Sequence, residues 1–110
     1  MALHHADSGE VVDIRPLGGA LKEHNTRTLV NTNQLEIIRL VLPEGKEIPQ
    51  HRAPREITVQ CIEGKIEFTA HGETKILEAG QMLYLAAEEA HSLKAVEDST
   101  VLLTLLLDKG

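Results

Sequence analysis

Short apolar segments separated by turn residues run along most of this 110-residue chain. About nine such segments follow one another at intervals of roughly 8–12 residues, with Gly, Pro or Asn between many of them. Residues 57–62 show the clearest alternation of apolar and polar side chains. No ten-residue stretch has a convincing helical period. The pattern predicts an all-β sandwich or barrel built from short strands.

The predicted strands cover nine ranges: residues 11–15, 26–31, 34–42, 57–62, 65–70, 74–77, 82–85, 90–95 and 100–107. Residues 48–55 contain two prolines and are expected to form an extended loop or an edge strand. Residues 16–23 carry a proline and two glycines, which favours a loop or a single helical turn.

The length fits one domain with one core. We expect residues 1–10 to be a flexible leader and residues 11–110 to form the barrel domain. Phe68 and Tyr84 are the only aromatic residues, so the core must be mainly aliphatic. Cys61 lies on the apolar face of its segment, where a small core residue is expected.

The formal net charge of −6 argues against nucleic-acid binding, because an acidic chain repels phosphate backbones. The single cysteine excludes an internal disulfide and favours a reducing compartment. No stretch approaches 18 apolar residues, and the first residues lack a signal-peptide pattern. These features predict a cytoplasmic protein with no membrane association.

The last predicted strand, residues 100–107, is apolar on both faces apart from a threonine. One face can enter the core, and the other needs a cover. A second subunit would supply that cover in a homodimer. The N-terminal segment of the same chain is the alternative.

Two glycine-anchored histidines stand within this β pattern. In the first motif Gly45 precedes His51 by six residues, and Gly64 closes the segment. In the second motif Gly80 precedes His91. Both motifs, in this order and at this separation, resemble those of the cupin family. The resemblance covers roughly residues 34–107 and implies a single-domain, double-stranded β-helix, also described as a jelly-roll barrel.

The resemblance also implies a metal site, but this chain departs from the family pattern. In metal-binding cupins three histidines and a glutamate hold the ion. His51 and His91 match two of these positions, whereas Ala53 and Ile57 occupy the other two. In the second motif the positions of the family's proline, inner glycine and asparagine are taken by Ala86, Glu88 and Ala95.

Glu56 lies one residue out of register with the missing glutamate, and a one-residue slip in a strand reverses the direction of a side chain. A bulge at the start of the strand would let Glu56 join His51 and His91 in a two-histidine, one-carboxylate set. The metal would then be iron, manganese, nickel or zinc. Arg55 flanks the expected mouth of the barrel, and Tyr84 faces either the pocket or the outer surface.

Three functions follow from these residues, and whether the protein is an enzyme stays open. The first is binding of a small molecule in a barrel whose metal site is degraded, with His51, Arg55, Glu56, Tyr84 and His91 around the pocket. The second is a metal-dependent dioxygenase or isomerase that uses His51, His91 and Glu56. The third is a structural or interaction module without pocket chemistry.

Overall fold

The computed structural model describes residues 4–107, which form nine strands in two antiparallel sheets. The strands are β1 (Arg27–Asn31), β2 (Leu35–Leu42), β3 (Glu47–His51), β4 (Ile57–Glu63), β5 (Lys65–Ala70), β6 (Glu73–Glu78), β7 (Met82–Leu85), β8 (His91–Ala95) and β9 (Ser99–Leu106). A 3-10 helix over Gly18–Glu23 precedes them. Within the described residues, no helix has the length and apolar character that crossing a membrane requires.

The five-stranded sheet has the order β1-β2-β9-β4-β7, and the four-stranded sheet has the order β3-β8-β5-β6. The two sheets face each other across a shared core, as the double-stranded β-helix prediction requires. Strand β9 lies between β2 and β4 and pairs with both along most of its length. The C-terminal strand therefore stands at the centre of the larger sheet.

The core takes its side chains from alternate positions of both sheets. Its buried members are Leu40, Leu42, Ile57, Val59, Cys61, Ile66, Phe68, Leu77, Leu85, Leu93, Ala95 and Val101. Apart from Phe68 these side chains are small or aliphatic, as the composition predicts. Cys61 is fully buried, and burial raises the pKa of its thiol, so this cysteine is a packing residue in the core.

Eight of the nine predicted strands are present. For residues 48–55 the two prolines predicted an extended loop or an edge strand, and residues 47–51 form the edge strand β3. The strand predicted over residues 11–15 is wrong, because this segment is irregular. In this segment Asp13 accepts hydrogen bonds from the backbone NH and guanidinium of Arg15, and such local bonds compete with a strand ladder.

Residues before β1 pack on the larger sheet. The carboxylate of Glu63 accepts hydrogen bonds from the backbone NH groups of Leu17 and Gly18 at 2.7 and 3.0 Å. Leu21, in the 3-10 helix, is buried. The sequence predicted a flexible leader over residues 1–10; here the NH of Ala6 donates to the carbonyl of Leu29 at 2.8 Å, so part of this segment contacts β1.

The turn at Gly64 carries the chain from the larger sheet to the smaller one, and no other residue fits there. Gly64 has φ +85°, and a Cβ atom built on it would stand 2.2 Å from Ser99 Oγ and 2.3 Å from Asp98 O. Gly72, in the β5–β6 hairpin, has a similar φ of +70° but opens to empty space. A side chain at residue 64 would therefore meet both backbone strain and a steric clash, whereas a side chain at residue 72 would meet backbone strain alone.

We expect Gly64→Ala to lower the free energy of unfolding by about 3 kcal/mol, since left-handed strain and overpacking add. Gly72→Ala carries the strain alone and should cost about 1 kcal/mol. Urea denaturation of both variants measures the difference. Equal losses would show that the contact with Ser99 does not constrain residue 64.

Candidate functional site

His51 and His91 come together because β3 and β8 are antiparallel neighbours and the two residues are directly paired. Their ring centroids are 4.2 Å apart, with the rings inclined at 62°. Each histidine sits at the barrel-mouth end of its strand, His51 at the last residue of β3 and His91 at the first residue of β8. Two motifs 40 residues apart in sequence therefore supply one pair of imidazoles.

Both imidazoles are held by the same local hydrogen bond. Nδ1 of His51 lies 3.0 Å from the carbonyl oxygen of Pro49, and Nδ1 of His91 lies 3.0 Å from that of Glu89. A carbonyl can only accept, so each Nδ1 carries the proton. In the neutral ring Nε2 then keeps the lone pair. Within residues 4–107, neither Nε2 has a hydrogen-bond partner.

The two rings line a cavity of about 200 Å³ between the sheets. Its remaining walls are apolar and come from both sheets: Leu40, Ile48, Val59, Phe68, Leu93 and Leu103. Phe68 stacks on His91 with ring centroids 5.5 Å apart and an angle of 12°. Alternation along β4 and β5 turns Val59 and Phe68 inward, but alternation alone does not show that they border a cavity beside the histidines.

The two histidines differ in exposure. His91 is only 3% exposed, whereas His51 is exposed at the mouth. Burial holds the pKa of His91 below its ordinary value, the hydrogen bond to the Glu89 carbonyl opposes this shift, and the neighbouring His51 adds to it. At neutral pH, His91 is therefore a neutral acceptor in an apolar cavity.

Glu56 and Tyr84 lie on the outer face of the larger sheet, not in this cavity. The Tyr84 hydroxyl donates a hydrogen bond to the Glu56 carboxylate, and this contact raises the pKa of Tyr84. Strand parity explains the placement, since Tyr84 pairs with Thr58 while Leu83 and Leu85 turn toward the core.

Arg55 is also absent from the cavity lining and is exposed in the loop between β3 and β4. Of the five residues that the sequence placed around the pocket, the structure brings His51 and His91 together there. Sequence could not decide the direction of Glu56, because that depends on whether β4 begins with a bulge. The strand begins regularly at Ile57.

The family's other two ligand positions are apolar here in structure as well as in sequence. Ile57 is buried in the core, and Ala53 is a partly buried residue that packs against this core. Among the described residues, one group of three possible ligands has atoms within 4.8 Å of one another, and it is the exposed set His4, Asp7 and Glu10. The donor set in the barrel is thus two imidazoles, which does not fit a site needing three or four protein ligands.

The loop between β7 and β8 shapes the mouth beside His91. Glu88 has φ +68°, in the left-handed region, which explains why the family favours glycine at this position. Two hydrogen bonds of 2.9 Å hold it: its NH donates to the carbonyl of Ala53, and its carbonyl accepts from the Arg52 guanidinium. Arg52 thereby ties this loop to the one before β4.

Comparison with known proteins agrees with this architecture. The family model for the cupin domain matches residues 38–107, which include strands β3 to β9, part of β2 and both histidines. The chain therefore belongs to the cupin family. No curated protein matches it.

Solved structures of similar fold include bacterial and archaeal proteins. A conserved protein of unknown function from Streptococcus pyogenes is 26% identical, with full coverage of both chains and a TM-score of 0.76. A cupin superfamily protein from Desulfitobacterium hafniense is 15% identical over 89% of this chain and 95% of its own, with a TM-score of 0.76. An RmlC-like cupin with a double-stranded β-helix fold from Methanocaldococcus jannaschii is 17% identical over 92% and 95%, with a TM-score of 0.74.

Burial of His91 predicts a pH dependence of stability. Below the ordinary histidine pKa of about 6.5, His91 binds a proton in the unfolded chain. In the folded chain its pKa is lower, so His91 stays neutral to a lower pH. The unfolded state then binds more protons, so this contribution to stability is complete above that pH and declines as the pH falls through it. Urea unfolding across this range should show a smaller pH dependence for His91→Gln than for the wild type.

The exposed loop histidine His24 offers the matched control, and His24→Gln should keep the wild-type pH dependence. If His91→Gln and the wild type lose stability in parallel as the pH falls, burial of His91 is not the cause.

Proposed function

We propose that this cupin barrel binds a small, mostly apolar molecule that donates a hydrogen bond to His51 and His91. The observation that carries the proposal is the pair of Nε2 atoms, each without a partner among the described residues, beside a cavity whose other walls are apolar. The fixed Nδ1 protons give both rings the same role, that of acceptor.

The chemistry of the pair favours a neutral donor such as a hydroxyl or an amide NH. An anion would need at least one protonated imidazole, and the lowered pKa of His91 opposes its protonation. An entirely apolar ligand would cover the acceptors without satisfying them, at a cost of about 1–3 kcal/mol for each buried group. The apolar walls then favour burial of the rest of the ligand.

A metal-dependent dioxygenase or isomerase is the second candidate, and the two unprotonated Nε2 atoms favour it. It needs at least one further protein ligand. Glu56 would have to leave Tyr84 and reach the cavity from the outer face of the sheet. Metal analysis after loading with iron, manganese, nickel and zinc tests this candidate, and substoichiometric metal in each case would exclude it.

A thermal-shift screen of neutral alcohols, phenols and amides tests the small-molecule proposal. We expect at least one member to raise the melting temperature, and His51→Ala with His91→Ala to weaken its binding by roughly tenfold or more, as loss of two desolvated hydrogen bonds implies. Tyr84→Phe and Glu56→Gln are the controls, since both residues lie outside the cavity lining. These two variants should bind the compound with the affinity of the wild type.

Two outcomes would count against the proposal. Binding that survives the double histidine substitution would place the ligand elsewhere. A full screen with no stabilising compound, together with no bound metal, would instead favour an interaction module without pocket chemistry.

We also propose that the outer face of the larger sheet joins two copies of the chain. This face carries apolar side chains that the N-terminal segment leaves accessible: Leu106, Met82 and Tyr84. Leu35 and Leu102 lie on the same face, on β2 and β9.

The cytoplasmic location inferred from composition stays a prediction.

We expect Leu106→Asp to convert a homodimer into a monomer, because it places a charge within the apolar face. Ile76→Asp is the matched control: Ile76 is 49% exposed and lies on β6 in the other sheet, and Leu106 is 39% exposed. Light scattering after size-exclusion chromatography measures the mass of each variant. A monomeric wild type, or loss of the dimer in both variants, would contradict this assignment.

A further inference from the structure

A second cavity, of about 240 Å³, lies between the N-terminal segment and the outer face of β1 and β2. Arg27 and Arg39 both line it and are directly paired across the two strands. Like charges placed opposite each other on one sheet face destabilise the pair unless an anion offsets them. This cavity is separate from the one that holds the histidines.

The two guanidinium groups donate hydrogen bonds to neutral carbonyls, and Glu10 and Asp13 attract Arg27 and Arg39 through space. Arg27 Nη2 donates to the carbonyl of His4 at 3.3 Å, and Arg39 Nη2 donates to the carbonyl of Arg15 at 2.8 Å. In the described part of the chain neither group forms a hydrogen bond to a carboxylate. Arg39 Nε is a buried donor without any hydrogen-bond partner. Buried donors are nearly always satisfied, so this unpaired Nε is an unusual feature of the outer face of β2.

The nearby carboxylates are already engaged. Asp13 accepts from the Arg15 guanidinium, which lowers the pKa of Asp13 to about 2. Glu10 lies 2.8 Å from His4 Nε2 and also accepts from the NH of Asp7. Both line the cavity as negative charges, so they oppose entry of a dianion more strongly than entry of a monoanion.

The rest of the lining is mixed, since His4, His24 and Asn25 are polar and the following residues are apolar: Ala6, Val11, Val12, Leu17, Leu29 and Val41. The apolar residues beside two arginines suit a molecule with a hydrocarbon part and one anionic group. Guanidinium groups bind carboxylates in particular, because their planar donors match the two oxygens.

We propose that this cavity is a binding site for a small organic monocarboxylate. The carboxylate lies between Arg27 and Arg39 and accepts hydrogen bonds from their guanidinium groups, and the hydrocarbon part contacts Leu29 and Val41. The site is independent of the barrel histidines.

Butyrate is the probe, and titration of the full chain by NMR measures its binding. We expect saturable shifts in the methyl signals of Leu29 and Val41 at millimolar concentration. Arg39→Gln and Arg27→Gln should each weaken binding by roughly tenfold or more, as loss of a charge-assisted hydrogen bond implies. Arg27 is exposed, so Arg27→Gln keeps the test valid if Arg39→Gln fails to fold.

Three controls distinguish this site from the barrel cavity and from a general attraction of anions. Arg52→Gln removes an arginine at the barrel mouth and should leave butyrate binding unchanged, as should the double substitution of His51 and His91 by alanine. Inorganic phosphate should bind more weakly than butyrate. No saturable shift with butyrate, affinity unaffected by both arginine variants, or tighter binding of phosphate would each overturn the proposal.

Discussion

The corner at Glu63 and Gly64 connects three parts of the molecule through a few short contacts. Gly64 admits the backbone of Asp98 and Ser99, which a side chain there would displace. The Ser99 hydroxyl accepts from the NH of Lys65 at 3.0 Å and lies 2.7 Å from the carbonyl of Glu97, so the start of β5 is tied to the start of β9. The turn by which the chain leaves the larger sheet and enters the smaller one is therefore fixed by hydrogen bonds to Ser99.

Glu63 extends this corner to the N-terminal segment. Its carboxylate accepts from the Thr100 hydroxyl at 2.8 Å as well as from two backbone NH groups before the 3-10 helix. These hydrogen bonds offset the cost of removing a half-buried carboxylate from water. Glu63 thus helps to hold the segment that covers β1 and β2 and forms the second cavity, together with the bonds from Ala6 to Leu29 and from Arg39 to Arg15.

The sequence predicted the fold well because strand period and turn residues are local signals. The resemblance of two motifs placed His51 and His91 around one pocket, and the structure adds that the two residues are paired across β3 and β8. It could not predict that the Nδ1 atoms bind carbonyl oxygens two residues earlier, since this depends on the local backbone path. The direction of the Glu56 side chain could not be predicted either, because the same sequence is compatible with a bulge and with a regular start of β4. The pairing of Arg27 with Arg39 could not be predicted either, because it depends on the register between two strands.

The two cavities lie on opposite sides of β2, and consecutive residues of this strand serve each of them. Leu40 faces the histidines, while Arg39 and Val41 face the N-terminal segment. The alternation of a strand thus lets one sheet present an apolar wall to the barrel and a cationic wall to the outside. Ile57 and Ala53 stand where metal-binding cupins have ligands, so the barrel interior is apolar at these positions, and Arg39 of β2 lies on the outer side of the sheet. A ligand with a hydrogen-bond donor and a ligand with a carboxylate therefore meet different chemistry on the two faces of the same strand.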